Sequence, residues 1–444
     1  MTAQHPFYHK VASFEVEKGE VKKVVLLYSG GLDTSVMLKW IQDEYQAELI
    51  TVTVDLGQQT DDLEALRAKA LRLGATAAYV VDAKDEFAEQ YIAKGIKANG
   101  AYQGNYYLST PLGRPLLAQA AVTIAATVGA DAIAHGCTGK GNDQVRIEGS
   151  ALALNPQIKI IAPVREWSMG RDEEIAYAQA HGIPVPHTID SPYSSDDNMW
   201  GVTWESGEIE APELIAPLAK FLKVCALPDQ APNEPELVRL EFDQGLPVAL
   251  NGQPMKLAPL IIALNQIAGR HGVGIIHHLE DRLVGLKVRG VYEMPAAHVI
   301  ISAHRALEKY VCTRVENEFK ALADQKWAYL CYGALWFDPL MDDLNAFNDK
   351  INERVCGQVT VRLYKGSAEV VALESPFALY DSRLATFMTD YTFNQNASAG
   401  FTEIYTLQMK LAHRRKLGLA APLPVAPLLP GEKVPVTVAT EGFD

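Results

Sequence analysis

Five apolar runs in the N-terminal half of the chain constrain its fold most strongly, because each is followed by a segment with helical periodicity. The runs span 22–29, 48–57, 77–83, 131–138 and 158–164. The helical segments span 33–45, 61–75, 84–96, 113–130, 143–154 and 171–181. Short, continuous apolar runs rich in β-branched residues are typical of parallel strands buried on both faces. Strands that alternate with helices predict a mostly parallel sheet covered on both sides. We therefore predict an α/β domain over residues 22–187.

The strict alternation is lost after this point, and we predict a second domain of the α+β class over residues 188–385. The turn signal Asn251-Gly252 inside the segment 236–255 indicates a β-hairpin. The segment 354–375 alternates between polar and apolar residues like paired antiparallel strands. The predicted helices of this domain span 257–270 and 297–322.

Two terminal segments flank the predicted domains. Residues 1–21 form an N-terminal extension to which the sequence assigns no role. Residues 386–444 contain a predicted helix at 402–417, followed by a tail rich in proline and alanine that we expect to be mobile.

Composition narrows the classes of partner. The net charge of −14 disfavours a polyanionic partner such as RNA or DNA and favours small molecules. No apolar run reaches the roughly 18 residues of a membrane span, so no membrane partner is expected. The five cysteines are widely spaced and include no C-x-x-C pair, which predicts reduced thiols rather than disulfides or a zinc site. The N-terminus lacks the apolar core of a secretory signal, so we expect a cytoplasmic location.

The stretch LLYSGGLDTSVML, from Leu26 to Leu38, joins the first predicted strand to the first helix through two glycines. A helix that begins directly after such a turn presents unpaired N–H groups and the positive end of its dipole, which favour a phosphate. Gly30 and Gly31 let the backbone approach a ligand closely. The nearby hydroxyl donors are Ser29, Thr34 and Ser35. The stretch lies at the carboxyl edge of the predicted sheet, where such folds bind ligands.

Two other interpretations of this loop explain less of its sequence. The first is a simple turn with Asp33 or Thr34 as the helix N-cap. Such a turn would not require the whole combination of two glycines with hydroxyl and carboxylate side chains. A Walker A loop is excluded because no G-x-x-x-x-G-K-[ST] is present, and no G-x-G-x-x-G fingerprint occurs either.

A second loop, HGCTGKGNDQVRIE at 135–148, also follows a predicted strand. An asparagine such as Asn142 can bond the polar groups of an amino acid. The carboxylate of Asp143 can hold an ammonium, and the guanidinium of Arg146 can clamp a carboxylate with two bonds. If the helix starts near Asn142, it and Arg146 are i, i+4 neighbours on one face. The alternative is a polar surface loop. By residue type and place, Lys140 and Arg114 are candidates to neutralise charge on a phosphate ligand.

The pattern Ser-Gly-Gly-x-Asp-x-Ser between a buried strand and a helix resembles the PP-motif of the N-type ATP pyrophosphatases, which split ATP into AMP and pyrophosphate. Several segments also occur in the order found in the argininosuccinate synthase family. They are YSGGLDTS, YYLSTPLGRP (106–115), HGCTGKGNDQVR, SPYSSDDN (191–198), AGRHGVG (268–274) and EDRLVGLKVRGVYEMPA (280–296). The resemblance covers residues from about 24 to 300 and continues more thinly to about 415.

The resemblance implies ATP-driven condensation of L-citrulline with L-aspartate through a citrullyl-AMP intermediate. It implies ATP as co-substrate with Mg²⁺, held mainly by phosphate oxygens. The implied ATP-binding residues are Leu27, Tyr28, Ser29, Gly30, Gly31, Leu32, Asp33, Thr34, Ser35, Val54 and Gly136. The implied citrulline-binding residues are Tyr106, Asn142, Arg146, Ser194, Thr203, Glu280 and Tyr292. The implied aspartate-binding residues are Thr138, Asn142 and Asp143. No side chain stands out as a general base. Taken alone, Glu280 would be interpreted as a solvated helix residue.

Four positions depart from part or all of the family pattern. Pro111 stands where one branch has a serine at a citrulline contact and another has Thr-Pro, as Thr110-Pro111 does here, so we expect the contact to be rerouted. Thr203 replaces a serine but keeps its hydroxyl. Asp281 replaces an asparagine and Val288 a serine. These changes predict altered local contacts in the citrulline pocket, not another class of reaction.

Two other functions are compatible with a nucleotide-binding loop of this kind. One competitor is another PP-motif adenylating enzyme acting on tRNA. A tRNA thiolase of this type needs a basic surface for RNA and a paired or suitably placed cysteine. Cys137 lies in a suitable place, within the loop 135–146, but it has no evident partner and the net charge is negative. The other competitor is a nucleotide-binding protein without catalysis, although none of the motifs is broken. The resemblance implies a homotetramer in which the C-terminal helix reaches a neighbour; packing of that helix on its own subunit is the alternative.

Overall fold

The structure, a computed structural model, describes residues 10–58, 62–167, 169–184, 192–386 and 393–418. Part of the segment that leaves the first predicted domain, and the tail after residue 418, lie outside the described residues. The chain divides into two compact units, Met1–Leu379 and Tyr380–Asp444. Among the described residues, no helix combines the length and apolar character needed to span a bilayer.

The first part of the larger unit is a five-stranded parallel sheet with helices on both faces, as predicted. Its strands are β1 (Lys23–Leu27), β2 (Glu48–Asp55), β3 (Ala77–Asp82), β4 (Ala132–Ala134) and β5 (Lys159–Ile161). Its helices are α1 (Leu32–Tyr45), α2 (Leu63–Arg72), α3 (Lys84–Glu86), a π-helical turn (Phe87–Ile92), α4 (Ala93–Lys97), α5 (Ser109–Val128), α6 (Asp143–Leu154), α7 (Pro163–Glu166) and α8 (Arg171–Ala180). The strand order is β3-β2-β1-β4-β5, and every neighbouring pair is parallel.

The apolar runs form central strands because both faces of the sheet are buried. On β1, Val25 belongs to one apolar cluster, while Val24 and Leu26 belong to another. The residues before β1 add to the second cluster, since Val16 and Val21 are buried in it. The sheet therefore has a core on each side, as its continuous apolar strands require.

The rest of the larger unit contains two antiparallel sheets. Its strands are β6 (Ser194–Asn198), β7 (Gly201–Glu205), β8 (Glu236–Asp243), β9 (Leu246–Leu250), β10 (Gln253–Pro254), β11 (Ile275–Asp281), β12 (Lys287–Glu293), β13 (Gly357–Tyr364) and β14 (Ser367–Glu374). Its helices are the 3₁₀ turns Gly207–Glu210 and Leu218–Lys220, then α9 (Leu257–Arg270), α10 (Pro295–Val311), α11 (Arg314–Tyr332) and α12 (Pro339–Asn352). One sheet has the order β10-β9-β8-β13-β14 and the other β11-β12-β7-β6.

The predicted hairpin is confirmed, because Asn251 and Gly252, both at positive φ, join β9 to β10. The predicted single helix at 297–322 is wrong. It is two helices, α10 and α11, separated at Thr313, whose hydroxyl accepts from Glu316 N–H while the Glu316 carboxylate accepts from Thr313 N–H. This capping box starts a new helix because it satisfies two backbone donors at once.

The smaller unit contains α13 (Ser382–Ala385), α14 (Ala397–Tyr405) and α15 (Leu407–Lys416). The helix predicted at 402–417 is thus divided at Thr406. The proposed boundary between the first and second domains stays a prediction.

Candidate active site

A cavity of about 1220 Å³ opens at the carboxyl edge of the parallel sheet, where it meets the sheet β11-β12-β7-β6. Eighteen of the twenty residues predicted for the three substrates line it. The two that do not are Gly30 and Ser35. The structure therefore brings together motifs that are far apart in sequence, including some from each predicted domain.

The glycine loop between β1 and α1, which we predicted to bind phosphate, is held in place by hydrogen bonds to two of its carbonyl groups. The Ser35 hydroxyl donates to the Gly31 carbonyl over 2.7 Å, and Thr53 donates to the Tyr28 carbonyl over 2.8 Å. Gly31 is the N-cap of α1 and has no side chain to cap the helix. The first N–H groups of this fourteen-residue helix thus lack a side-chain cap, which is the arrangement that favours an anion. Ser35, absent from the wall, supports the loop instead.

Gly30 has a φ of +79°, a region that only glycine adopts at little cost. A Cβ built there would lie 2.2 Å from Leu66 Cδ2. The Gly30 carbonyl accepts a bond of 2.7 Å from Lys69 Nζ on α2. Burial, and then the nearby Arg72, lower the pKa of Lys69. Gly30 therefore shapes the loop from behind the cavity wall.

Val54 and Gly136 lie on the strand β2 and just after the strand β4, which flank β1 on its two sides. Val54 is buried at the end of β2, and its carbonyl accepts from Gln58 Nε2 over 2.9 Å. Gly136 packs closely against α1, since a Cβ there would lie 2.8 Å from Met37 Cε. A larger residue at 136 would push against the first turns of α1.

The second predicted loop ends at Asn142, which is the N-cap of α6, and Arg146 N–H donates to its carbonyl. The i, i+4 relation of the two residues is confirmed. The Asn142 amide is already engaged on both sides: Nδ2 donates to the Tyr332 hydroxyl over 2.7 Å, and Oδ1 accepts from Leu283 N–H over 2.8 Å.

Arg146 is buried at 4% exposure, and its guanidinium lies 4.7 Å from the centre of the Tyr332 ring. Its Nε donates to the Tyr332 carbonyl over 3.0 Å, and Nη1 donates to Asp143 over 2.8 Å. Its Nη2 has no hydrogen-bond partner in the part of the chain that the structure describes. A buried guanidinium nitrogen is costly to leave unpaired, so this donor is suited to a ligand.

Arg114 forms the centre of a charge cluster that sequence patterns did not predict. Its Nε and Nη2 donate to Asp143 Oδ2 over 2.9 and 2.7 Å, and Nη2 also bonds Asp196. Burial alone would raise the pKa of Asp143, but the Arg114 and Arg146 guanidinium groups outweigh it and lower that pKa. Burial raises the pKa of Asp196 despite the same arginine. The charge of Arg114 is thus committed to two carboxylates. Lys140, the other candidate cation, is exposed and is not among the described residues that line the cavity.

Glu280 lies on β11 and is buried at 6% exposure, so its interpretation as a solvated helix residue is wrong. The Tyr292 hydroxyl donates to it over 2.9 Å, and Arg282 Nε approaches it at 3.4 Å. Burial raises the pKa values of Tyr292 and Tyr106, whose rings lie 4.6 Å apart. A buried carboxylate among tyrosines that stay protonated can receive a substrate ammonium.

The remaining predicted residues occupy the same rim or wall. Ser194 is exposed on β6, while Thr203 on β7 donates to the Asp196 carbonyl over 3.3 Å. Thr138 is exposed at the loop after β4. Two of the positions that depart from the family pattern lie next to Glu280. Asp281 follows Glu280 on β11 and forms an ion pair with Lys287. Val288 on β12 lies opposite Glu280 in the strand register.

Several residues of the wall were missed from the sequence. They include Thr53, Gln58, Asp196, Glu205 and Arg282. Asp196 lies within a motif quoted above, so its neighbourhood was visible although its role was not. Tyr332, which anchors Asn142 and Arg146 from α11, gave no local signal.

The parallel sheet, the glycine loop and the adjoining polar cavity define an ATP-binding α/β protein of the PP-motif type. Comparison with known proteins specifies the family. The description "Arginosuccinate synthase N-terminal HUP domain" matches residues 23–184, and "Arginosuccinate synthase C-terminal domain" matches residues 193–412. The chain is 50% identical to the argininosuccinate synthase of Symbiobacterium thermophilum over 88% of this chain and 97% of that protein. It is 49% identical to the argininosuccinate synthase of Pyrococcus furiosus over 89% of this chain and 96% of that protein.

A solved U34-tRNA thiolase, NcsA from Methanococcus maripaludis with its [4Fe-4S] cluster, gives a TM-score of only 0.25. It is 19% identical over 39% of this chain and 60% of that chain, which is too little to carry an argument. The matches over nearly the whole chain show that the protein belongs to the argininosuccinate synthase family. It is a ligase that forms a carbon–nitrogen bond, and ATP is a substrate of its family. This membership does not favour the tRNA-modifying alternative.

Proposed function

We propose that the cavity condenses L-citrulline with L-aspartate, consuming ATP and releasing argininosuccinate, AMP and pyrophosphate. One observation carries the proposal: residues predicted for the nucleotide, for citrulline and for aspartate line a single cavity. A reaction that joins three substrates needs them side by side, because alignment of the reacting groups supplies much of the rate.

The chemistry follows from the weakness of a ureido carbon as an electrophile. The ureido oxygen of citrulline attacks the α-phosphorus of ATP, and pyrophosphate leaves. The aspartate amine then attacks the activated ureido carbon, the bond from that carbon to the AMP oxygen breaks, and the amine gives up a proton. The N–H groups at the start of α1, which have no side-chain cap from Gly31, would stabilise the departing negative charge electrostatically.

Substrate roles follow from charge and contact. Arg146 would clamp a substrate carboxylate through its free Nη2, and Glu280 would hold the citrulline ammonium. Asp143 would receive the aspartate ammonium beside its two arginines, since an ionised carboxylate has about four acceptor sites. Asn142 would contribute little directly while its amide stays bound to Tyr332. In this arrangement Arg114 positions Asp143 and does not bind phosphate.

Mg²⁺ would arrive with ATP and remain bound mainly to phosphate oxygens. The described residues hold no group of three or more His, Cys, Asp or Glu side chains arranged for a metal ion.

The decisive experiment measures pyrophosphate release from Mg-ATP with citrulline and aspartate supplied singly and together. We expect sustained release only with both, together with AMP and argininosuccinate. Arg146→Met should lose most of this activity. Arg67→Met is the matched control, because Arg67 is an exposed arginine paired with Glu64 outside the cavity. Release that requires neither amino acid would refute the proposal.

We also propose a homotetramer. In support, the side chains of Phe401, Ile404 and Tyr405 on α14 are each more than 60% exposed within one chain. A helix with so much exposed apolar surface is suited to an interface. Sedimentation at micromolar concentration should give four times the chain mass, and a monomer would contradict this assembly.

A further inference from the structure

An open edge of backbone lies in the cavity wall, at the point where β1 ends and β2 continues. β1 pairs with β2 as far as Leu27 opposite Val52. The last bond across this edge runs from Tyr28 N–H to the Val52 carbonyl over 2.9 Å. Residues two apart on a strand direct their backbone groups to the same side. The Val54 carbonyl therefore faces the side that β1 no longer covers, and Leu56, one residue beyond the end of β2, has its N–H directed to the same side chain, that of Gln58.

The side chain of Gln58 occupies both of these groups. Its Nε2 donates to the Val54 carbonyl over 2.9 Å, and its Oε1 accepts from Leu56 N–H over 2.7 Å. All three residues line the cavity. The Gln58 carboxamide thus satisfies the hydrogen-bonding groups of Val54 and Leu56, which lie within the four preceding residues. Without it, these two backbone groups would be open to a ligand.

A carboxamide presents an amino donor beside an acceptor, and the Watson–Crick edge of adenine presents the same pair as N6 amino group and N1. Adenine can therefore form the same two bonds in place of the Gln58 side chain. Its N6 amino group would donate to the Val54 carbonyl, and its N1 would accept from Leu56 N–H. Guanine has O6 and N1–H in the opposite order. It would place acceptor against acceptor and donor against donor, which is costly in a partly buried site.

We propose that Gln58 is a built-in mimic of adenine, which occupies the base-binding edge in the free enzyme and is displaced when ATP binds. The edge then selects adenine over guanine, and Gln58 sets how tightly ATP binds. This inference rests on the proposed function, since it takes ATP as the ligand of this cavity. It concerns a residue that none of the substrate assignments includes.

The size of the effect follows from competition. A ligand that binds only the open form has its dissociation constant divided by the open fraction. Two neutral hydrogen bonds that are exchanged for bonds to water, each at the low end of its usual net contribution because the cavity is open to solvent, correspond to an open fraction of about a sixth. Removing the Gln58 carboxamide should therefore tighten ATP binding about sixfold.

The test is calorimetric titration of Mg-ATP, Mg-GTP and inorganic tripolyphosphate into wild type, Gln58→Ala and Gln58→Met, with neither amino acid present. Met keeps the length of the side chain but can form neither bond, so agreement between the variants separates lost bonds from lost packing. Gln42→Ala is the matched control, because the Gln42 amide also bonds a backbone carbonyl, that of Gly74, away from the cavity.

We expect both Gln58 variants to bind ATP about sixfold more tightly, with tripolyphosphate unchanged and GTP weak throughout. The Gln42 control should match the wild type. Unchanged or weaker ATP binding by the Gln58 variants would overturn the proposal, and so would an equal gain for tripolyphosphate, which has no base. Failure of the proposed function is seen separately, as wild-type enzyme that releases no pyrophosphate with both amino acids.

Discussion

Gly30 offers the sharpest test of how this fold builds its phosphate loop. Replacing it by alanine puts a Cβ on a residue at φ +79°, 2.2 Å from Leu66 Cδ2. The substitution has two consequences, backbone strain and a steric clash, which can be separated by experiment. The strain arises at residue 30 alone, whereas the clash involves the end of the flexible Leu66 side chain.

The magnitudes can be worked from these contacts. A left-handed conformation costs a residue with a Cβ about 1–2 kcal/mol. Turning Leu66 away from its preferred rotamer costs about 0.5–1.5 kcal/mol. Against this, alanine restricts the unfolded chain and recovers about 0.4–1 kcal/mol. We therefore expect Gly30→Ala to lower the free energy of unfolding by about 1–2.5 kcal/mol. We also expect a higher KM for ATP, because the loop can relieve strain only by moving.

Urea-induced unfolding measures the first effect, and Gly31→Ala is its matched control. Gly31 has φ −68° and ψ 179°, and a Cβ there would meet only Ser29 Oγ at 3.6 Å. Its stability should change by less than about 0.5 kcal/mol, because the gain of about 0.4–1 kcal/mol from the restricted unfolded chain is offset by the poorer N-cap that alanine makes. Adding Leu66→Ala to Gly30→Ala should relieve the clash and leave the backbone strain. Equal stabilities of the two single glycine variants would refute this reasoning.

Two further predictions concern buried charge. Arg114→Met leaves the Asp143 and Asp196 carboxylates without their shared guanidinium and should cost about 3–5 kcal/mol of stability near neutral pH. The lowered pKa of Asp143 means that its pairing stabilises the wild type fully above the unfolded value near 3.9 and less as pH falls through the folded pKa. Urea unfolding should thus show the deficit shrinking as pH is lowered, and a deficit that stays constant would argue against an electrostatic cause. Glu293, fully buried, accepts bonds from Trp204 Nε1 and three backbone N–H groups, so Glu293→Gln should cost at least about 2 kcal/mol. A thermal midpoint equal to that of the wild type would contradict this.

The strands and helices of the parallel domain were predicted well because residues close in sequence are enough to indicate them. The strands of that sheet are buried on both faces and appear as continuous apolar runs, and the helices have clear periodicity. The glycine loop was predicted for the same reason, since a helix start after Gly30-Gly31 depends on neighbours in sequence. α9 was predicted at its observed bounds because its apolar face is regular.

The sheet β11-β12-β7-β6 was not predicted, although it carries four of the residues assigned to citrulline. β6 has the sequence SSDDN, with no apolar alternation to mark it as a strand. Its strand conformation comes from antiparallel pairing with β7. This pairing depends on the tertiary structure, because the residues of β6 have little intrinsic preference for a strand. Ser194, Thr203, Glu280 and Tyr292 were therefore found only through the resemblance to a family.

The sequence by itself determined where the buried strands lie along the chain, the glycine turn before the first helix, and the family. Only the tertiary structure decided which side chains are free to meet a substrate. Arg114 was a candidate for phosphate until Asp143 and Asp196, 29 and 82 residues away in sequence, were found to hold it. The Asn142 amide is bonded to Tyr332, 190 residues away in sequence, and its role as a ligand stays a prediction. The physical reason is that hydrogen bonds and ion pairs in a buried site are satisfied by whatever the fold brings near, and that proximity is set by packing over long distances in sequence.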